Sequence, residues 1–239
     1  MLSSDILLNV ILMLLCYAYI VLVIFVSGKL GCLNVSRRSS RKFLHIMIGN
    51  LPFVIPFFTY NSFPLNFPFF VAAPFVLVTF LACPYSPFKG FYEKMKGLTD
   101  ITEEGHQLGL VFYAVSYTFL ALFFSSKPQV IAAGILPMAY GDAFASFMGE
   151  RYGKRKYRIL AAKSLEGSAA MFLASFLSFT FSLIFFSAVY SFSFFDGFWA
   201  SLGVALIATL VEGLSPHGFD NIAVPALSAL TFLALGGGT

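Results

Sequence analysis

Residues Ile6–Val26, ILLNVILMLLCYAYIVLVIFV, form a run of 21 residues without a charged side chain. An α-helix needs roughly 20 mostly apolar residues to cross the hydrocarbon core of a bilayer, so this run is predicted to be a transmembrane helix. A secretory signal would place basic residues before a shorter apolar run. Because Asp5 is the only charged residue that precedes the run, we expect the helix to be retained.

The rest of the chain has the same apolar character. Of its 239 residues, 59% are hydrophobic and 11% are charged, and the mean hydropathy is +0.85. Soluble domains carry about 25% charged residues, so the composition excludes a soluble globular protein. The three cysteines, Cys16, Cys32 and Cys83, lack the paired spacing of a zinc site or a disulfide framework.

The pattern of apolar runs predicts an all-α polytopic membrane protein, with one catalytic domain over residues 1–239. Eight helices are predicted: Ile6–Val26, Phe43–Phe58, Phe67–Cys83, Leu108–Phe124, Val130–Met148, Ser168–Tyr190, Phe198–Leu214 and Ile222–Leu235. The third contains Pro68 and Pro74 and the eighth is short, so either could be tilted, kinked or re-entrant. Seven crossings is therefore an alternative.

The basic residues indicate the orientation in the membrane. Loops after the first, third and fifth predicted helices hold five, three and six of them, which is 14 of the 15 Lys and Arg residues, while Lys127 lies opposite. By the positive-inside rule this face is cytoplasmic, and both termini are expected outside. The acidic residues also gather there, apart from Asp5 and Asp196. The positive-inside rule concerns Lys and Arg, so it does not explain why the carboxylates lie on this face. Their position therefore suggests a site for metal and phosphate.

The cytoplasmic half of the fifth predicted helix carries Asp142. An ionisable residue at membrane depth is usually functional. Gly141, Ala145 and Gly149 recur every four residues and make a face that another helix or a ligand can approach closely. The alternative is that this face only packs helices and that Asp142 pairs with a nearby lysine.

The segment before the sixth predicted helix fits an anion. Helix N-termini offer unpaired N–H groups and the positive end of the dipole. Lys163 adds a charge and Ser164 a hydroxyl, and Gly167 lets a ligand approach the backbone. Ser164 together with Glu166 could instead serve only as a helix cap.

Two further groups of polar residues are candidates. At the start of the second predicted helix, Arg41 and His45 share a face and Lys42 lies one position round, which suits phosphate; the earlier arginines fit a topology signal better. The acids of residues 212–221 have no Lys or Arg near them. Magnesium takes such oxygen ligands, and a solvated turn is the alternative. Residues 87–100 are predicted to form an interfacial amphipathic helix.

Together these motifs resemble the polyprenol kinase family, which includes dolichol kinase and phytol kinase. The shared patterns are R-K-x-x-H, E-x-x-x-x-G, G-D-A-x-A, K-S-x-E-G-S and D-N-x-x-x-P. In this chain they are Arg41-Lys42-His45, Glu104-Gly109, Gly141-Asp142-Ala143-Ala145, Lys163-Ser164-Glu166-Gly167-Ser168 and Asp220-Asn221-Pro225. The resemblance covers most of the chain, from about Arg41 to Pro225.

The resemblance implies transfer of phosphate from CTP, with Mg²⁺, to the terminal hydroxyl of an isoprenoid alcohol such as dolichol, another polyprenol, phytol or geranylgeraniol. Asp142 is expected to be the chief magnesium ligand or the base, with Asp220 and Glu166 as supporting carboxylates, and His45 is expected to orient the transferred group. The expected nucleotide and phosphate ligands are Arg41, Lys42, Lys163, Ser164, Gly141 and Gly167. No nucleic-acid partner is expected, and the sequence predicts no oligomeric state.

Two other functions compete with this one. A phosphatidate cytidylyltransferase would use similar acidic and basic residues at cytoplasmic helix ends, but the longer signature of that family is absent from the chain. A transporter would place polar residues along a path from both sides, whereas the outer halves of these helices are almost purely apolar. The preference for CTP over ATP rests on the resemblance alone.

The topology can be tested with single cysteines placed near Arg155 and near Lys127 in a cysteine-free background. An impermeant thiol reagent should label the two positions from opposite sides of the membrane, because the loops that contain them are separated by one crossing. Labelling of both positions from the same side would contradict the predicted topology.

Overall fold

The computed structural model describes residues 2–30, 35–90, 108–190, 194–216 and 218–237. Eight α-helices occupy these ranges: α1 (Leu2–Leu30), α2 (Arg37–Ile48), α3 (Phe67–Leu81), α4 (Gly109–Phe124), α5 (Pro128–Tyr152), α6 (Leu165–Val189), α7 (Phe194–Leu214) and α8 (Asp220–Ala234). Two short hairpins accompany them, β1 (Asn61–Ser62) with β2 (Leu65–Asn66), and β3 (Lys156–Arg158) with β4 (Ala162–Ser164). The predicted all-α class is confirmed.

Several of these helices are suited to a bilayer. By length and composition, four could cross it, namely α1 from Asp5, α5, α6 and α7 from Gly197. Helices α3, α4 and α8 are apolar but shorter. Seven of the eight predicted helices thus correspond to one observed apolar helix each, and the chain is a polytopic membrane protein.

The second predicted helix, Phe43–Phe58, is wrong as a single element. Helix α2 begins earlier, at Arg37, because the Ser36 hydroxyl caps it by accepting a hydrogen bond from the Ser39 N–H at 3.1 Å. It ends at Ile48, and the chain continues as a 3₁₀-helix over Leu51–Phe57. Two prolines in this second part lack the N–H that a continuous α-helix would use.

Helix α3 runs through both of its prolines. Pro68 lies in the first turn, where its missing N–H costs nothing, and Pro74 lies inside the helix. Asn66 caps the helix by accepting from the Phe69 N–H at 3.0 Å, and its amide donates to the Ala121 carbonyl of α4 at 3.0 Å. The Asn66 side chain thus both caps α3 and links it to α4 by a hydrogen bond.

Contacts divide the chain into two compact units, residues 1–126 and residues 127–239. In the first unit, α2 and α3 pack on α1, and α3 packs on α4. In the second unit, α6 packs against α5 and α7, and α8 packs against α7 and α5.

Helix α5 contains a π-helical turn, Pro137–Gly141, between two α-helical halves. This turn packs on α6, α7 and α8, so it lies at the centre of the second unit. Asp142 is the first residue after it. Single π turns inside α-helices are frequent at functional sites, and this one sets the direction in which Asp142 leaves the helix.

Small residues bring α5 and α6 into close contact. A Cβ added to Gly149 would lie 3.1 Å from the Ser164 hydroxyl, and one added to Gly167 would lie 3.0 Å from the Ala145 carbonyl. A Cβ on Gly141 would meet side chains of α6. The face formed by Gly141, Ala145 and Gly149 therefore packs against α6; a further role of Gly141 in phosphate binding stays a prediction.

Replacing Gly153 with alanine should destabilise the second unit. The new Cβ would clash with the Gly149 carbonyl and lie 2.8 Å from the Ser164 hydroxyl, so the end of α5 would have to move, at a cost of about 1–3 kcal/mol. Thermal unfolding in detergent should show a lower midpoint for Gly153→Ala. Gly90→Ala is the control, because its Cβ would meet nothing within 4 Å. Equal midpoints for the two variants would contradict the prediction.

Candidate functional site

The β3–β4 hairpin positions Lys163. In this antiparallel pair Tyr157 lies opposite Lys163, and side chains at directly opposite positions share a face. The Tyr157 and Ser168 hydroxyls are hydrogen bonded at 2.7 Å, and a Cβ on Gly213 would lie 2.9 Å from the Tyr157 hydroxyl. This face of the hairpin is therefore held against α6 and α7, and it carries Lys163 to the end of α7.

Lys163 forms an ion pair with Glu212, to which its ammonium donates a hydrogen bond. Glu212 lies in the last turn of α7 and is 3% exposed, whereas the Lys163 side chain is 24% exposed. Asp142 and Asp220 also act electrostatically on Lys163. We call these four residues, Lys163, Glu212, Asp142 and Asp220, the lysine cluster.

The charges of the cluster keep Lys163 protonated. Burial is the largest single effect and by itself lowers the pKa of Lys163, but the negative charges of Glu212, Asp142 and Asp220 together outweigh it. The net result is a pKa raised above the ordinary value of a lysine. Lys163 is therefore a cation at neutral pH that already lies among carboxylates.

Four elements that are distant in sequence supply the cluster. Asp142 follows the π turn of α5, Lys163 lies in β4 just before α6, Glu212 ends α7, and Asp220 begins α8. The turn between α7 and α8 contains Gly218 with a φ of +84°, a conformation that L side chains rarely adopt. The lysine cluster thus combines the middle of α5 with the starts of α6 and α8 and the last turn of α7.

Other predicted site residues of this unit make structural contacts. The Ser164 hydroxyl accepts from the Gly167 N–H at 3.1 Å and caps α6. Both oxygens of the Glu166 carboxylate accept from the Arg155 backbone N–H at 3.3 Å, which joins the helix to the hairpin. These contacts are the ones expected if Ser164 and Glu166 serve to cap the helix. The predicted phosphate roles of Ser164, Gly141 and Gly167 and the metal role of Glu166 stay predictions.

The basic residues of α2 lie in the first unit. Arg41 and His45 are buried, at 6% and 2% exposure, and Lys42 is half-buried. The imidazole of His45 stacks on the Tyr113 ring with the centroids 4.5 Å apart, and the Tyr113 hydroxyl donates to the His45 carbonyl at 3.1 Å. Helix α4 therefore fixes the position of His45, whose predicted role in orienting the transferred group stays a prediction.

Glu212 is the residue that the sequence did not single out. It is one of two acids, with Asp220, in a segment that could be a solvated turn, whereas the structure buries it against Lys163. The available signal was a carboxylate at the end of an otherwise apolar helix, which is expensive unless it is paired. Glu103, Glu104, His217 and most of the predicted amphipathic helix lie outside the described residues.

Within the described ranges, no three His, Cys, Asp or Glu side chains are close enough together to hold a metal ion. The three predicted metal ligands, Asp142, Asp220 and Glu166, are therefore not close enough together to form a three-ligand metal site by themselves. Magnesium is commonly held by one or two carboxylates together with substrate phosphates. Asp142 and Asp220, which both act on Lys163, fit that simpler pattern.

Comparison with known proteins finds phytol kinases among the relatives of this chain. The chain is 39% identical over 129 residues to the phytol kinase of Synechocystis sp., a match that covers 52% of this chain and 53% of that protein. It is 31% identical over 225 residues to a probable chloroplastic phytol kinase of Triticum aestivum, covering 86% of this chain and 70% of the relative. Phytol kinase 1 of Arabidopsis thaliana, also chloroplastic, is 29% identical over 218 residues.

The match to the cyanobacterial relative spans about half of its length, 53%, whereas the wheat protein is matched over 70%. No family model and no solved structure matches the chain.

Replacing Glu212 with glutamine should lower the pKa of Lys163, because a large opposing charge is removed while the burial remains. Amine reagents attack the neutral amine form of lysine. At about pH 9, where an ordinary lysine is mostly protonated, Lys163 should therefore react faster in Glu212→Gln than in the wild-type protein. Mass spectrometry of the Lys163 peptide after reductive methylation measures this rate.

The control for this experiment is Glu150→Gln, since Glu150 is exposed and contacts Ser146 at 3.5 Å. It should leave the rate at Lys163 unchanged. Because the pKa of Lys163 is raised on folding, the ion pair stabilises the protein at pH values below the ordinary lysine pKa, and that stabilisation is lost as pH rises through the raised value. Equal modification rates in the two variants would contradict the assignment.

Proposed function

The chain belongs to the phytol kinase family, and we propose that it transfers the terminal phosphoryl group of CTP to the hydroxyl of an isoprenoid alcohol. The relatives are named for phytol; for this chain the proposed substrate class is a membrane-dissolved isoprenoid alcohol. The reaction takes place at the cytoplasmic face of the membrane, where the positive-inside rule puts 14 of the 15 basic residues. There an alcohol from the bilayer and a nucleotide from water can meet.

The lysine cluster is the observation that carries this proposal. Phosphoryl transfer needs mainly positioning of the reactants and neutralisation of charge on the phosphate oxygens. Lys163 is a protonated cation, held in place by the hairpin and paired with Glu212. A nucleotide phosphate would compete with Glu212 for this ammonium. The N-termini of α6 and α8, near Lys163 and Asp220, add the positive ends of two helix dipoles.

The carboxylates supply the complementary chemistry. Asp142 is buried, at 9% exposure, and is the proposed acceptor of the proton from the alcohol hydroxyl. Asp142 and Asp220 are the residues that would hold magnesium, which when bound neutralises charge on the nucleotide phosphates. The roles proposed for Arg41, Lys42 and His45 in phosphate binding follow from the family motif.

A comparison of CTP labelled at two positions tests the reaction. The purified protein in membranes is given magnesium, CTP labelled at the α- or the γ-phosphorus, and geranylgeraniol, phytol or a longer polyprenol, with phosphatidic acid in parallel. A kinase releases CDP, so only γ-label should appear in a prenyl phosphate. Label that enters lipid only from α-labelled CTP and only with phosphatidic acid would establish a cytidylyltransferase instead. Transfer from γ-labelled ATP but not from CTP would overturn the choice of nucleotide.

The matched variants for this assay are Asp142→Asn and Asp5→Asn. Asp142→Asn preserves the side-chain volume but removes the charge, and it should slow the transfer of γ-label at least about a hundredfold, roughly 2.7 kcal/mol of barrier. Asp5→Asn makes the same change near the start of α1 and should leave the rate unchanged. Near-normal turnover of a folded Asp142→Asn protein would contradict the assignment.

A further inference from the structure

The β3–β4 hairpin connects two helices of the second unit that are long and apolar enough to cross a membrane. Helix α5 ends at Tyr152 and α6 begins at Leu165, and both helices are candidate spans. A short connection leaves the membrane at the end of one span and returns at the start of the next. Both ends of the hairpin therefore lie close to the membrane surface.

The end of α5 carries the side chains expected at a membrane interface. The Arg151 guanidinium lies over the rings of Phe147 and Tyr152, at 6.0 and 5.7 Å from their centroids, and both aromatic side chains are exposed. A basic residue at the end of a spanning helix packs its apolar stem on such neighbours while its charge reaches the headgroups. The hairpin thus starts at the level of the lipid headgroups.

The hairpin lies back against the protein instead of standing away from it in water. The Tyr157 hydroxyl is hydrogen bonded to Ser168, which lies within the first turn of α6. Near the tip of the hairpin, Ala161 is only 5% exposed. Contacts near both ends of the hairpin therefore keep it close to the helix ends, and hence close to the membrane surface.

Two adjacent apolar side chains form the tip of the hairpin. Ile159 and Leu160 are 60% and 62% exposed. A single exposed apolar residue is ordinary, whereas an apolar pair flanked by basic residues is typical of elements that enter the boundary between headgroups and acyl chains. Leu160 is five residues from Leu165, so at no more than about 3.6 Å per residue the tip lies within about 18 Å of the start of α6.

Exposed basic residues precede this tip, namely Lys154, Arg155, Lys156 and Arg158. Among the described residues, Lys156 and Arg158 form no ion pair. Successive side chains of a strand alternate between its two faces, so Lys156 and Arg158 lie on the face opposite to Tyr157. Lys163 is the cross-strand partner of Tyr157 and shares its face. The charges of Lys156 and Arg158 are therefore on the other side of the hairpin from the lysine cluster.

We propose that the β3–β4 hairpin binds the surface of the membrane, with Ile159 and Leu160 inserted among the lipid headgroups and with Lys156 and Arg158 paired with anionic lipids. Charge complementarity identifies this partner, because an anionic leaflet offers negative charge beside an apolar layer. A soluble anion such as a nucleotide offers no apolar layer for the tip. The proposal does not depend on the proposed function, and it makes the leaflet a support for the hairpin that carries Lys163.

Insertion of the tip is tested with bimane attached to Leu160→Cys or Ala162→Cys, in a background without other cysteines. Both positions are exposed, so neither label disturbs packing. The protein is placed in nanodiscs of phosphatidylcholine and phosphatidylglycerol that contain a lipid with a quenching doxyl group near its headgroup. Bimane at Leu160→Cys should be quenched at least about twofold more than bimane at Ala162→Cys, because only the tip enters the lipid. Equal quenching at the two positions would overturn the proposal.

The role of the charges is tested by adding Lys156→Gln and Arg158→Gln to the protein labelled at Leu160→Cys. Quenching should fall to nearly the value found in nanodiscs of phosphatidylcholine alone, because the attraction to anionic lipid is removed. The control is Lys89→Gln with Lys127→Gln, which removes the same total charge from two exposed residues elsewhere and should leave quenching unchanged.

Two further results would overturn the assignment to anionic lipid. One is equal quenching in the two lipid compositions, which would show that the charge of the leaflet has no effect on the tip. The other is loss of quenching when inorganic triphosphate is added at constant ionic strength, which would show that the basic residues bind a soluble phosphate instead. If the variant without Lys156 and Arg158 does not fold, the comparison of the two lipid compositions decides.

Discussion

The close contact between α5 and α6 is the constraint on which the second unit depends. Gly149 and Gly167 allow the two helices to approach until the Ser164 hydroxyl lies between them. Since Ser164 also ends β4 and caps α6, the same contact fixes the hairpin. The hairpin carries Lys163, so the position of the cation in the lysine cluster follows from the packing of two glycines and a serine.

The lysine cluster shows how charges are accommodated at the end of an apolar bundle. A buried carboxylate such as Glu212 is costly without a partner, and the Lys163 ammonium provides one. Asp142 and Asp220 add negative charge beyond what a single cation neutralises. That excess of carboxylate beside an ordered ammonium suits a ligand that brings its own cation, as a magnesium-bound nucleotide does.

The π turn of α5 links the helix packing to the chemistry. In a continuous α-helix the Asp142 side chain would point in a different direction around the helix axis. The reason is that the extra residue of a π turn rotates all the residues that follow it. Here the wider turn ends at Gly141, where α6 comes close, and Asp142 follows at once. Gly141 therefore allows the close packing of α6, and the adjacent Asp142 supplies charge to the lysine cluster.

The sequence by itself determined the class of the fold and seven of the eight apolar helices, and it singled out Asp142, Lys163 and Asp220 as candidate site residues, because hydrophobic length and the cost of charge in a membrane are local properties. It did not determine that α2 stops at Ile48, since the prolines that favour a 3₁₀ turn lie inside an apolar run that also fits a helix. Only the tertiary structure decided that Glu212 pairs with Lys163, that Glu166 faces a backbone amide and that Gly141 and Gly167 contact helices. These outcomes depend on which residues meet across separate elements, 11 positions apart for Arg155 and Glu166 and 49 for Lys163 and Glu212, and no local pattern records such a meeting.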